Sequence, residues 1–295
     1  MYMGKWTRPG GEAAPAELVL RLTAIELLLR PMGPWFIKPV ILLLAGLALI
    51  LPQVLRAPAI WLALALLVAG RLLADWPLPD NHIYLLAYWC LAAGLALRAP
   101  DVRPPLALSA RLLVGLAFLF ALLWKAVLSP DYLDGRFFRV TLMMDDRFAG
   151  AVMLLTGLSA EQLQQNRNYL QPLPEGAELL HPPLFVEPPA FRWLAGSATY
   201  GMLALEAAIA MLYLLPWHSR FESARHVFLL AFCVLTYAFA PVAGFGWLLL
   251  VMGLAQCNPE QRLLRFAYIL SYFLILLFSE IPWADLLVQG LEGAR

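Results

Sequence analysis

Charge is scarce in this 295-residue chain: 14% of its residues are Asp, Glu, Lys or Arg, against roughly 25% in soluble domains. With 62% hydrophobic residues, that shortage argues against an ordinary soluble globule. The formal net charge of +1 offers no basic surface for nucleic acid. Cysteine is also rare. Cys90, Cys233 and Cys257 are far apart and form no CxxC, so they read as small buried hydrophobes and not as a disulfide framework or metal site. No HExxH helix, zinc-type ligand spacing or phosphate-cradling glycine loop occurs, and no metal is expected. Nor is there an internal or inverted repeat of the kind many transporters carry. No apolar core of a signal peptide precedes residue 35, so the first membrane helices are expected to direct insertion.

What is abundant is apolar run. Stretches near 36–55, 58–75, 82–98, 107–128, 193–216, 226–240, 244–256 and 263–283 approach or exceed the length at which an apolar segment reads as a membrane helix, about 18 residues. The stretch 15–30, PAELVLRLTAIELLLR, has apolar residues at helical spacing, interrupted by Arg21, Glu26 and Arg30. It reads as an interfacial amphipathic helix or as one more span, with the interfacial reading preferred. The expected fold is therefore an all-α, polytopic integral membrane helix bundle of eight or nine spans, a single domain over 1–295. Arginines collect in one set of short connections (Arg56; Arg98, Arg103, Arg111; Arg220, Arg225; Arg262, Arg265), while 76–81 and 241–243 carry none. The positive-inside rule puts the arginine side in the cytoplasm. The basic N-terminal residues, including Lys5, Arg8 and Lys38, pull the other way unless 15–30 is itself a crossing.

Residues 129–191 are too long for a simple connector and are expected to form an outward-facing lid. SAEQLQQNRNYL predicts a capped helix with Ser159 at the N-cap and Gln162 three residues on. RFFRVTLMMDDRFAGAVMLLTGL, apolar but carrying Asp145, Asp146 and Arg147, suits a helix at the interface. The proline-rich QPLPEGAELLHPPLFVEPPAF excludes continuous helix.

A charge at the bilayer centre costs about 2.5–3.5 kcal/mol on insertion scales, so each polar residue inside an apolar run needs a partner or a task. Lys125, in LFALLWKAVLSPDYLDG and near the end of the run 107–128, either snorkels to the headgroups or faces the interior, where desolvation favours a neutral amine able to act as a base. His82 opens the run 82–98, as an ordinary interfacial histidine or as a polar partner. Because successive spans alternate in direction, it is expected on the same face as Lys125, under the lid. Glu206 sits mid-span in TYGMLALEAAIAMLYL, too deep to snorkel easily, as a helix-packing group or a functional acid. His226 is expected near the cytoplasmic face, and His181 and His218 lie in polar flanks. Tyr84, Trp89, Trp124 and Tyr132 are interface anchors or the walls of an apolar pocket.

NHIYLLAYW, followed by ARLLVGLAFLFALLWKAVLSPDYLDG and then LALEAAIAMLYLLPWHSRFESARHVFLLAFCVLTYAFAPVAGFGWLLL, resembles the HTTM domain, the membrane domain of the vitamin K-dependent gamma-carboxylase family, over roughly 15–285. The resemblance implies an outer-face site handling reduced vitamin K or another quinol. Lys125 stands where the family's catalytic lysine deprotonates the quinol, and His82 matches the histidine of the family's NH–Y element as its oxyanion-stabilising partner. Tyr84, Trp89, Trp124 and Glu206 would belong to the quinone pocket. It further implies membrane lipids, a lipid-soluble quinone and a protein or peptide substrate at the outer face as partners, and a multi-pass location in a bacterial inner membrane. Two departures are visible: the family has adjacent lysines where Trp124 precedes a single Lys125, and an aspartate where this chain has Glu206. Rival functions are a non-catalytic helper or immunity-type membrane partner, and a small-molecule transporter or lipid-binding protein.

Overall fold

The computed structural model describes residues 13–30, 33–74, 81–173, 175–176, 181, 184–215, 221–239, 243–280, 286 and 290. Among them every regular element is helical. Lys5 and Arg8, the turn over 75–80, His218, Arg220 and the break at 240–242 lie outside the described residues. The chain forms two compact units. The first comprises residues 1–117, 209–234 and 242–276; the second comprises 118–208, 235–241 and 277–295.

In the first unit α1 (Ala13–Leu29) packs against α2 (Lys38–Ile50) and against α13 (Ala243–Ala255), and α4 (Pro58–Ala74) lies along α5 (Asn81–Ala96). Prolines set several boundaries. Pro52 opens the short α3 (Pro52–Leu55), and the preceding Leu51 is forced into extended backbone. The apolar run over 36–55 is thereby split, leaving α2 at 13 residues, or about 20 Å, short of a bilayer core of about 30 Å. In α1 no described side chain from Pro15 to Leu28 is fully exposed, and Leu20, Thr23, Ala24, Glu26 and Leu27 are buried.

The rest of the first unit comes from the start of α6 (Arg103–Leu123), the end of α11 (Pro189–Leu214) and most of α12 (Glu222–Phe239) and α14 (Arg262–Glu280). Indoles and phenols tie it together through main-chain oxygens: Trp247 donates to the Tyr272 carbonyl at 3.0 Å, and Tyr272 donates to that of Leu22 at 2.9 Å. Gly253 allows α14 to approach α13 closely, since a Cβ there would lie 2.2 Å from the Tyr268 ring.

In the second unit the end of α6 continues into a π-helical turn, Trp124–Leu128, followed by α7 (Pro130–Leu133), α8 (Arg136–Met144), α9 (Asp146–Thr156) and α10 (Ala160–Leu170). The run over 136–158 is two helices, not one. Asp145 takes extended backbone and caps α9 by accepting from the Arg147 amide, the usual competition of Asp with helix continuation. α10 has the expected capping box, Ser159 with Gln162. The proline-rich stretch is non-helical where described up to Pro188, and its last three residues open the next helix, α11 (Pro189–Leu214). The stretch is pinned by Asn166, whose amide donates to the Val186 carbonyl and accepts from the Val186 N–H, both at 2.8 Å. Leu142, Met143, Val152, Leu158, Leu163, Phe191 and Ala195 form this unit's core.

Arg103–Leu128 and Pro189–Leu214, 26 residues each, are long and apolar enough to cross a membrane. α2, α4, α5 and α13 are apolar but shorter.

Candidate functional site

Lys125 lies in the π turn. Such a turn inserts a residue into the helical repeat and re-aims the side chains that follow, and it often sits at functional positions. Pro130 explains where it stops: the residue before a proline is pushed out of helical backbone, and Ser129 has φ −125° and ψ 82°. The Lys125 ammonium is turned inward. It forms an ion pair with Glu206 Oε1 on α11, 81 residues away in sequence. The side chains are 24% and 5% exposed, respectively. The lysine is therefore held by a carboxylate of its own unit.

Tyr132 completes the cluster. Lys125 Nζ sits 5.0 Å from the centroid of its ring, which stacks on Phe137 at 5.2 Å and meets Phe138 edge-on at 5.6 Å. The short α7 is fastened to α11 by Tyr200, whose hydroxyl donates to the Leu133 carbonyl at 3.0 Å. Gly135, at φ +79°, makes the left-handed turn into α8, and its Cα faces Thr199 of α11. Two polar atoms at the cluster are buried without a hydrogen-bond partner: Glu206 Oε2 and the Tyr132 hydroxyl. Burial, then the Glu206 charge, push the Tyr132 phenol above its ordinary value, so it remains a neutral donor.

Of the other expected site residues, His82, Tyr84 and Trp89 lie in the first unit and Trp124 in the second. His82 belongs to the first unit; it is half-buried at the start of α5, and a Cβ on Gly244 would lie 3.5 Å from its ring. The contact found at the ammonium is Glu206. Tyr84 is half-buried in the same helix as His82. Trp89 is wholly buried in the first unit and donates to Thr23 Oγ1 at 3.0 Å, a packing role. Trp124 is 63% exposed and opens the π turn that holds Lys125. His226 is an interior histidine of the first unit, its Nδ1 2.8 Å from the Tyr268 hydroxyl. Among the described residues, no cluster of His, Cys, Asp and Glu is placed to hold a metal ion.

Lys125 and Glu206 each stood out as a charge in an apolar run. The signal that joins them was available: opposite charges in separate runs, each needing a partner, satisfy one another. Comparison with family models, curated proteins and solved structures finds no match to this chain.

Proposed function

We propose that this chain is a multi-pass membrane protein of the HTTM, gamma-carboxylase-like kind that binds a lipid-soluble quinol and manages a proton at it through Lys125 and Glu206. The observation that carries the reading is the buried Lys125–Glu206 pair with one carboxylate oxygen left over. A membrane location is supported by the two 26-residue apolar helices, whose apolar windows are only 28% buried. Apolar surface on that scale needs lipid or protein cover. The shorter apolar helices would complete a bundle of eight or nine crossings.

The residues fit a quinol. Glu206 Oε2 is a free acceptor, Tyr132 a free donor, and Phe137 with the Tyr132 ring an apolar wall. When bound, the quinol would supply an acidic aromatic hydroxyl and two reducing electrons. The chain's own part is protonic. A lysine and a carboxyl in contact hold their shared proton at either Lys125 Nζ or Glu206 Oε1, as one coupled pair. With the proton on Glu206, the amine is a base; with it on Lys125, the ammonium stabilises a neighbouring oxyanion. Burial excludes competing water and strengthens both effects.

The test is to purify the protein and its Lys125→Ala variant from membranes and identify co-extracted lipids by mass spectrometry. The parent should retain a quinone and the variant should lose most of it. If neither retains one, the quinol reading fails and a non-catalytic membrane partner becomes the better account.

A further inference from the structure

Native interiors rarely leave polar atoms unpartnered, because each such atom forfeits its bonds to water without replacement. The second unit leaves two at one place. Glu206 is 4% exposed and its Oε2 accepts nothing; Tyr132 is 3% exposed and its hydroxyl donates to nothing. Lys125 touches both residues, through the ion pair and through the Tyr132 ring face. The vacant positions differ in kind: one needs a hydrogen, the other needs a lone pair.

That combination selects among ligands. A carboxylate, phosphate or carbonyl would satisfy Tyr132 but bring no hydrogen to Glu206. An ammonium would satisfy Glu206 and could donate to the Tyr132 oxygen, but would leave the Tyr132 hydrogen without an acceptor. A hydroxyl group brings both. Water does too, but the Tyr132–Phe137 stack beside it offers an apolar face that a ring fills and water does not. We infer that Tyr132 and Glu206 together hold one hydroxyl of an aromatic headgroup, Tyr132 donating to its oxygen and Glu206 Oε2 accepting its hydrogen. This rests on the quinol reading above and adds the residue that recognises the hydroxyl. No proton leaves Tyr132. Its raised phenol keeps the O–H intact at neutral pH, so it is a binding donor beside the Lys125–Glu206 proton pair.

The probe is naphthohydroquinone, held reduced without oxygen, with its dimethyl ether as the analogue lacking both O–H groups. Equilibrium binding is measured on the full chain in lipid nanodiscs, corrected for partition into empty discs. The parent should bind the diol more tightly than the ether. Tyr132→Phe should weaken diol binding by about threefold to tenfold, the worth of one neutral hydrogen bond; the ether keeps the oxygen that Tyr132 would donate to and lacks only the hydrogen that Glu206 would accept. If Tyr132→Phe binds the diol like the parent while Glu206→Gln weakens it, the role of Tyr132 is overturned and the quinol reading stands. If the parent shows no saturable diol binding, both fall. Should Tyr132→Phe not fold, the parent alone decides: equal affinity for diol and ether means that water occupies the polar pair, and the inference is wrong.

Discussion

The two units differ in how much of their polar bonding is ionic. In the first, the fully buried contacts are neutral, such as Trp61 to the Leu55 carbonyl at 2.8 Å, Trp89 to Thr23 at 3.0 Å and Tyr272 to the Leu22 carbonyl at 2.9 Å, and the ion pair Arg56–Glu17 is only half-buried. In the second, neutral bonds such as Asn166 to Val186 stand beside more ion pairs: Arg139 with Glu187, Arg147 with Asp145, Arg167 with Asp146, Arg136 with Asp134. A neutral donor on a carbonyl survives loss of water at little expense, whereas an ion pair taken wholly out of water gains less than it loses. These pairs each keep one member at least 43% exposed, whereas at Lys125–Glu206 the more open member is 24% exposed. That pair is the exception which the rest of the unit makes visible. The first unit has a counterpart in Glu26, 1% exposed with its Oε2 unpartnered. There, however, the nearby cation is Arg30, four residues on in sequence and spread over the Trp247 ring at 5.8 Å. One carboxylate belongs to a packed interior; the other faces a lysine and an idle phenol.

The largest effect should come from breaking that exception. Lys125→Ala leaves Glu206 buried with its charge unpaired and should destabilise the protein by about 3 kcal/mol, read from thermal unfolding in detergent. Adding Glu206→Gln to Lys125→Ala should recover more than half of the loss, because the stranded charge is gone. A loss well below 1 kcal/mol, with no recovery in the double variant, would make Lys125 an ordinary headgroup lysine and erase the contrast with the other ion pairs.

Next in size is a test of the first unit's neutral bonding. Trp89→Phe removes the indole donor to Thr23 and part of a fully buried ring, and should cost about 2 kcal/mol. That loss should be the same at low and high salt, since no charge is involved. The surface pairs of the second unit should weaken with salt. A salt-dependent Trp89→Phe effect would mean that the units are not separable in this way.

How much of this was legible beforehand follows from the range of each interaction. The helices over 58–74, 81–96 and 189–214 are written locally in apolar runs and proline starts, and their positions could be read off. So could the capping box at Ser159 and Gln162, which closes within four residues. The split at Leu51 was equally local but was masked by the apolar run on both sides of Pro52. The division at Asp145 was hidden because Asp145–Asp146 read as charges and not as a cap. Lys125 and Glu206 were each conspicuous, but which partner each takes depends on a contact across 81 residues that no periodicity encodes. The expectation for His82 rested on the alternation of spans and on the family resemblance, neither of which is a contact. Tyr132 carried no signal beyond being aromatic: an unpartnered hydroxyl is a property of packing.

The smallest predicted effect concerns the ionic surface of the second unit and has a definite sign. The Asp145 carboxyl is held below its ordinary value, chiefly by the Arg147 side chain, with burial opposing. A carboxyl lowered on folding contributes stability that is fully present above its unfolded value, about 3.9, and is lost as pH falls through the lowered folded value. Because the pair is near solvent, the contribution should be only about 0.5 kcal/mol. Asp145→Asn keeps a good N-cap but removes the charge. In acid titrations of stability, the variant should therefore lose less than the parent between about pH 5 and pH 2, and the difference should shrink in high salt. The same titration of Trp89→Phe should run parallel to the parent. If Asp145→Asn also runs parallel, the ion pairs on this surface are contacts without consequence, and the second unit rests, like the first, on its apolar core.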